Sequence, residues 1–327
     1  MNERMKSGSG AQENPAGNAE GGGGWSSRSV GSHLGHRIFY LLIRVAGRLP
    51  AYVLLAFVVA YYVIFSGQAR RKADHYLRRR FPRAGFFGRL IACYRMIFGL
   101  GTVLVDRAAA GILGPGTLKG TFEDGDRLSE IIGEGKGIIL MMSHVGCWQV
   151  AMSALGRLDR PIHMLMHSEE GDIDRHYFEH AGEAMPYRVI DPRGYLGGTL
   201  EMMAVLKAGG CLSVMGDRVL GSARNVVTAD FLGEPADFPA SAYKIASATG
   251  APIVVIYSVK TGFDSYALKI AEVIRVPEGV GRKMENYRPY VQAYVDTLAT
   301  YCERAPFQFF NFFDMWAPPV DDASERG

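Results

Sequence analysis

Short apolar runs recur through the middle and end of this chain: GIILMM (137–142), PIHMLMH (161–167), CLSVM (211–215) and APIVVIYSV (251–259). Between them lie stretches with apolar residues at helical spacing, at about 85–110, 146–157, 173–185, 195–208, 239–249 and 283–303. NVVTADFL (225–232) and SYALKIAEVI (265–274) add further strand-like segments. Alternation of the two periods predicts an α/β fold with a largely parallel central sheet flanked by helices. No internal repeat is visible. With 327 residues and 48% apolar composition, the chain is long enough to build one large domain around that sheet.

The N-terminal third has a different character. Residues 1–35 are polar and glycine-rich, with almost nothing to bury, and read as a disordered tail without the apolar core of a signal peptide. In HRIFYLLIRVAGR, Arg37, Arg44 and Arg48 are spaced to share one helical face, while Ile38, Leu41, Leu42 and Val45 occupy the other. That is the pattern of a helix lying among lipid headgroups. No charge occurs from Leu49 to Ala69, and the basic stretch ARRKADHYLRRRFPR follows. Cations beside an apolar helix favour anionic lipid and the cytosolic face. The dense apolar core is marginal for spanning, which takes about 20 residues, so crossing the bilayer and lying on it both remain open. The chain therefore divides into a tail (1–35), membrane-associating helices with a basic flank (36–84) and the α/β domain (85–320).

The net charge of +3 gives no ground for a nucleic-acid partner. The four cysteines show no paired spacing, which suits a reducing compartment. His163 and His167 sit on a strand-like run, where four residues span about 13 Å, too far for one ion. His176 and His180, near Asp172 and Asp174, share a helix face, but no metal site is expected from them.

The segment SHVGCWQV (143–150) follows the apolar run 137–142. Ligands of open α/β sheets gather at the carboxyl ends of strands. Gly146 permits a sharp turn and a close approach to a ligand, and a histidine such as His144 takes a proton from a hydroxyl near neutral pH. From this spacing alone, a catalytic histidine and a histidine satisfied in a turn are equally acceptable.

Several ordered blocks then settle on one resemblance. SHVGCWQV is similar to the His-x4-Asp/Glu block of the lysophospholipid acyltransferase superfamily, in its lipid A biosynthesis (lauroyl/myristoyl) acyltransferase branch. Ser143, His144, Gly146 and Trp148 match; Cys147 replaces an asparagine, and Gln149 replaces the acid. VMGDRVLG (214–221), with Gly216, Asp217 and Arg218, resembles the second block. The stretch 231–260, with Phe238, Pro239 and Lys244, and the ending CERAPFQFFNFFDMW resemble later ones. The likeness covers about residues 37–317.

The resemblance implies transfer of a fatty acyl chain from an acyl thioester to a lipid or glycolipid acceptor at the inner membrane, on its cytosolic side. Acyl carrier protein is the expected donor partner, with acyl coenzyme A the alternative, and no cofactor is required. His144 would be the general base and Gln149 its orienting neighbour. Ser143, Gly146, Trp148, Gly216, Asp217, Arg218, Phe238, Pro239 and Lys244 would contact substrate, with Asp217 and Arg218 on the acceptor or phosphate side. Backbone N–H groups near Gly146 would stabilise the oxyanion. An apolar groove beside the sheet edge would shield the acyl chain.

Gln149 accepts a hydrogen bond but supplies no counter-charge. Three readings follow: a neutral orienter, a charge supplied by another acid such as Asp217, or lost catalysis with retained binding of acyl lipid or carrier protein. A thioesterase, in which water replaces the acceptor, is a further alternative. Cys147 is read as a small buried filler in preference to an acyl-accepting thiolate. The aromatic ending is read as core or membrane contact.

Overall fold

A computed structural model of the chain describes residues 33–147, 160–166, 187–192, 198–219 and 225–317. The expected helices at 146–157 and 173–185, together with Trp148, Gln149, His167, His176 and His180, lie outside those residues, as does nearly all of the expected tail.

The N-terminal segment is a run of helices. α1 (His33–Ala46) and α2 (Arg48–Phe65) meet at Gly47, whose φ of 79° is readily adopted only by glycine. Ser66 then accepts a hydrogen bond from the Ala69 N–H and caps α3 (Gly67–Arg80). α4 (Phe86–Leu113) is the helix on which all three pack. α2 buries Ala51, Leu55, Val59 and Val63, a four-residue repeat. Gly101 of α4 admits Leu55: a Cβ there would lie 2.6 Å from its Cδ1.

This arrangement corrects the sequence reading of Arg48. The residue does not share an outward face with Arg37 and Arg44, which are exposed. It begins α2 and is buried, with its guanidinium 3.2 Å from Asp106 of α4.

The remaining described strands and α-helices are β1 (Lys119–Phe122), α5 (Gly125–Gly133), β2 (Ile138–Met142), β3 (Ile162–Leu165), β4 (Tyr187–Ile190) and α6 (Thr199–Lys207). They continue with β5 (Cys211–Met215), β6 (Val226–Phe231), β7 (Glu234–Pro239), α7 (Ser241–Thr249), β8 (Ile253–Lys260), β9 (Ser265–Ile274) and α8 (Arg288–Arg304). Seven strands form the main sheet in the order β1-β9-β8-β2-β5-β3-β4, and β6-β7 is a separate hairpin. From β8 to β4 every pairing is parallel; β9 runs antiparallel to β8, and β1 is parallel to β9. The α/β class and largely parallel sheet read from the sequence are those observed.

The centre of the sheet is buried on both faces, which explains why its strands read as continuous apolar runs. Ile139 and Met141 join Leu212, Val214, Ile253 and Val255 beneath α6, α7, α8 and the N-terminal helices. Ile138, Leu140 and Met142 point the other way, with Cys211, Val254 and Ile256, towards α5.

The elements missed from sequence are the short or edge-lying ones. β1 is a mostly exposed edge strand without an apolar run. β7, EPADFP, carries two prolines, which a two-stranded hairpin tolerates because its outer side needs no ladder donors.

Candidate active site

Two parallel neighbours create the site. β2 and β5 pair with Met142 opposite Met215, and the Gly216 N–H continues the ladder to the Met142 carbonyl at 2.8 Å. Two residues further along each chain stand His144 and Asp217, brought opposite one another by register. His144 Nδ1 lies 2.9 and 3.0 Å from the two Asp217 carboxylate oxygens, and its backbone N–H also donates to that carboxylate at 3.0 Å. A carboxylate only accepts, so Nδ1 carries the hydrogen, and in the neutral ring the lone pair is on Nε2. The imidazole is a quarter exposed while the Asp217 side chain is almost wholly buried.

Burial alone would push the Asp217 carboxyl up. The facing imidazole, its hydrogen bonds and the adjacent Arg218 guanidinium outweigh that and hold it below the ordinary value. Arg218 itself is pushed down to about 10 by burial, against the pull of Asp217, and stays cationic at neutral pH. Its NH2 donates to the Phe310 carbonyl at 3.4 Å, and its guanidinium lies over the Phe313 ring.

The layer beneath the pair is polar and closed. Ser143 is buried, its hydroxyl 2.6 Å from the phenol of Tyr294 on α8. Burial raises that phenol well above its usual range, so Tyr294 keeps its proton. Gly216 sits against the same ring: a Cβ there would approach Tyr294 Cζ to 2.8 Å and Met141 Sδ to 2.9 Å. Gly146, at φ +53°, is tighter still, since a Cβ would fall 2.0 Å from the Ser258 carbonyl oxygen.

The other described residues expected to contact substrate also have partners within the protein. Asp217 faces the imidazole, and Arg218 is buried beside it. Ser143 and Gly216 support the loops from below. Phe238 is fully buried between Phe231 and Tyr294. Pro239 ends β7, paired with Val226, and Lys244 on α7 donates to Asn225 at 3.0 Å. Cys147 is fully buried, in keeping with a filler.

The oxyanion cradle suggested near Gly146 is not formed by residues 145–147. The Val145 N–H donates to Ser143 O at 2.7 Å, that of Gly146 to Gln308 O at 2.9 Å, and that of Cys147 to Ser258 Oγ at 3.2 Å. A cavity among Arg160, His163 and Gly209 lies at the amino ends of β3 and β5, the edge away from His144, and is not the expected acyl groove.

The aromatic ending supplies residues that the sequence left unassigned. Phe309 bridges Val145, and the Phe310 N–H donates to His144 O at 2.8 Å. Residues 308–310 thus line the loop that carries His144 as a short antiparallel strap. α3 grips that strap: Tyr76 donates to Pro306 O at 2.9 Å, Phe81 stacks on Phe307, and Arg79 lies over Trp316. The expected lipid-facing basic flank is therefore partly spent inside the protein. Arg70 donates to the Val63 and Ile64 carbonyls, Arg79 pairs with Glu234, and Arg80 donates to Cys302 O. Arg71, Lys72 and Arg78 remain exposed.

A sequence model of the family described as bacterial lipid A biosynthesis acyltransferase matches residues 38–312. No curated protein matches the chain. Among solved structures, the 1-acyl-sn-glycerophosphate (LPA) acyltransferase PlsC from Thermotoga maritima is similar at 16% identity, over 78% of this chain and 98% of that one, with a TM-score of 0.37.

Proposed function

Because the chain belongs to the bacterial lipid A biosynthesis acyltransferase family, and is thus an acyltransferase, we propose that it moves a fatty acyl chain from acyl carrier protein to a lipid or glycolipid acceptor. His144 is the general base. Its Nε2 takes the proton of the acceptor hydroxyl as the oxygen attacks the thioester carbonyl. The tetrahedral intermediate then expels the thiolate, which recovers the proton from the imidazolium. An ester and a free thiol result, with no covalent acyl-enzyme.

The observation that carries this reading is the His144–Asp217 pair. A buried carboxylate fixes the tautomer and steadies the imidazolium that forms, as the acid of a serine protease triad does. Asp217 thereby supplies the charge that Gln149 lacks, which favours an active enzyme over a silent binding protein.

The protein works at a membrane surface, with α1, α2 and the first turns of α4 set into the cytosolic leaflet of the inner membrane. Support comes from what those helices leave outside: Leu34, Leu41, Val45, Phe57, Ile64, Phe86, Phe87 and Ile91 are all exposed. At 18 residues, α2 is about 27 Å long, and both it and α4, which packs along one side of it, are apolar enough to enter a bilayer.

The test is to incubate the full chain in detergent with labelled acyl-acyl carrier protein and a bacterial membrane lipid extract. Labelled lipid that disappears with His144→Ala supports transfer. Labelled free fatty acid would make it a thioesterase, and an unchanged thioester would leave only a binding protein.

A further inference from the structure

We propose that Gln308 is a positioning residue for His144, an inference that rests on the general-base reading above. The loop carrying the imidazole is held from two sides. On one side stands β8, where Ser258 accepts the Cys147 N–H and presses its carbonyl against Gly146. On the other runs the strap, which takes the Gly146 N–H on Gln308 O and gives the Phe310 N–H to His144 O.

Gln308 joins these two holders. Its side-chain oxygen accepts the Lys260 N–H at 2.8 Å, and its side-chain nitrogen donates to the Lys260 carbonyl at 3.0 Å. Lys260 lies two residues beyond Ser258 on the same strand, so one amide group ties the strap to the end of β8. Its own carbonyl simultaneously fixes the turn two residues after the imidazole. Only an amide donates and accepts at once with this reach. Glutamate of the same length would set an oxygen against the Lys260 carbonyl, and methionine would make neither bond.

The consequence falls on rate. Displacement of a catalytic group by about 1 Å costs about a hundredfold, and among the described residues the loop's backbone bonds to the strap are those at His144 and Gly146, which flank the Val145–Phe309 pair. Loosening it at Gln308 lets the imidazole drift from the acceptor oxygen without emptying the donor site.

The experiment compares wild type, Gln308→Met, Gln308→Glu and His144→Ala with labelled acyl-acyl carrier protein and membrane lipid extract, measuring kcat, KM for the donor and thermal midpoint. The expected result is a tenfold to hundredfold fall in kcat for both Gln308 variants, little change in donor KM, and no further loss when Gln308→Met is added to His144→Ala. Normal kcat in a folded Gln308 variant, an equal loss in the His144→Ala background, or unfolding of both Gln308 variants would overturn the positioning role. If wild type and His144→Ala behave alike, it is the general-base reading that falls, a result distinct from these.

Discussion

Asp217 carries the largest consequence at the scale of single residues. Its carboxyl is held below the ordinary value, so the folded state binds its proton less readily than the unfolded chain. The stability it contributes is complete above the unfolded value near 3.8 and is lost as pH falls through the lower folded value. Asp217→Asn should therefore flatten the acid side of the melting profile. Thermal midpoints of both proteins between pH 7 and 3 check this, and parallel profiles below pH 4 would refute it. The sequence made His144 visible through its place after an apolar run and the blocks around it, and it offered Asp217 as one candidate acid. It could not select between Gln149 and Asp217, because the pairing of β2 with β5 is a property of the sheet. Gln308 stood within the ending that resembles a family block, but its part was not legible for the same reason: its partners are backbone groups of Lys260 and Gly146, and backbone groups leave no trace in residue type.

At the scale of elements, a buried polar cluster fastens the N-terminal helices to the sheet. Asp106 of α4 is fully buried and accepts from Arg48 and Tyr52 of α2, Lys260 of β8 and Tyr266 of β9. Removing the one acid would strand two largely buried cations, at a cost of about 3–5 kcal/mol. Asp106→Ala should lower the urea midpoint by a corresponding amount, and a change below about 1 kcal/mol would show the cluster to be dispensable. Little of this was legible beforehand, since Arg48 falls in helical phase with Arg37 and Arg44 and reads as a surface cation. Gly47 interrupts that phase. The long helix α4, the unbroken apolar runs of β2, β5 and β8, and the strand β9 were read correctly. β1 and β4 were not, because KGTF and YRVI contain no unbroken apolar run, and α5 was missed with them.

At the scale of the whole molecule, the N-terminal helices are apolar on their outside, and α3 contacts the strap that runs beside the His144 loop. Burying an aromatic side chain in lipid contributes about 1.5–3 kcal/mol. Replacing Phe57, Phe86 and Phe87 together by Asp should weaken flotation with anionic vesicles at least about a hundredfold while leaving the thermal midpoint in place. Unchanged flotation would remove the membrane from the account. The central claim is that the charge required by the His144 imidazole resides at Asp217 and not at position 149. Steady-state acyl transfer by wild type, Asp217→Asn and Gln149→Glu tests it most directly. The account predicts measurable turnover in wild type, a loss of about 10²–10⁴-fold in Asp217→Asn, and a change of no more than a few-fold in Gln149→Glu. A silent wild type that Gln149→Glu brings to life would contradict it.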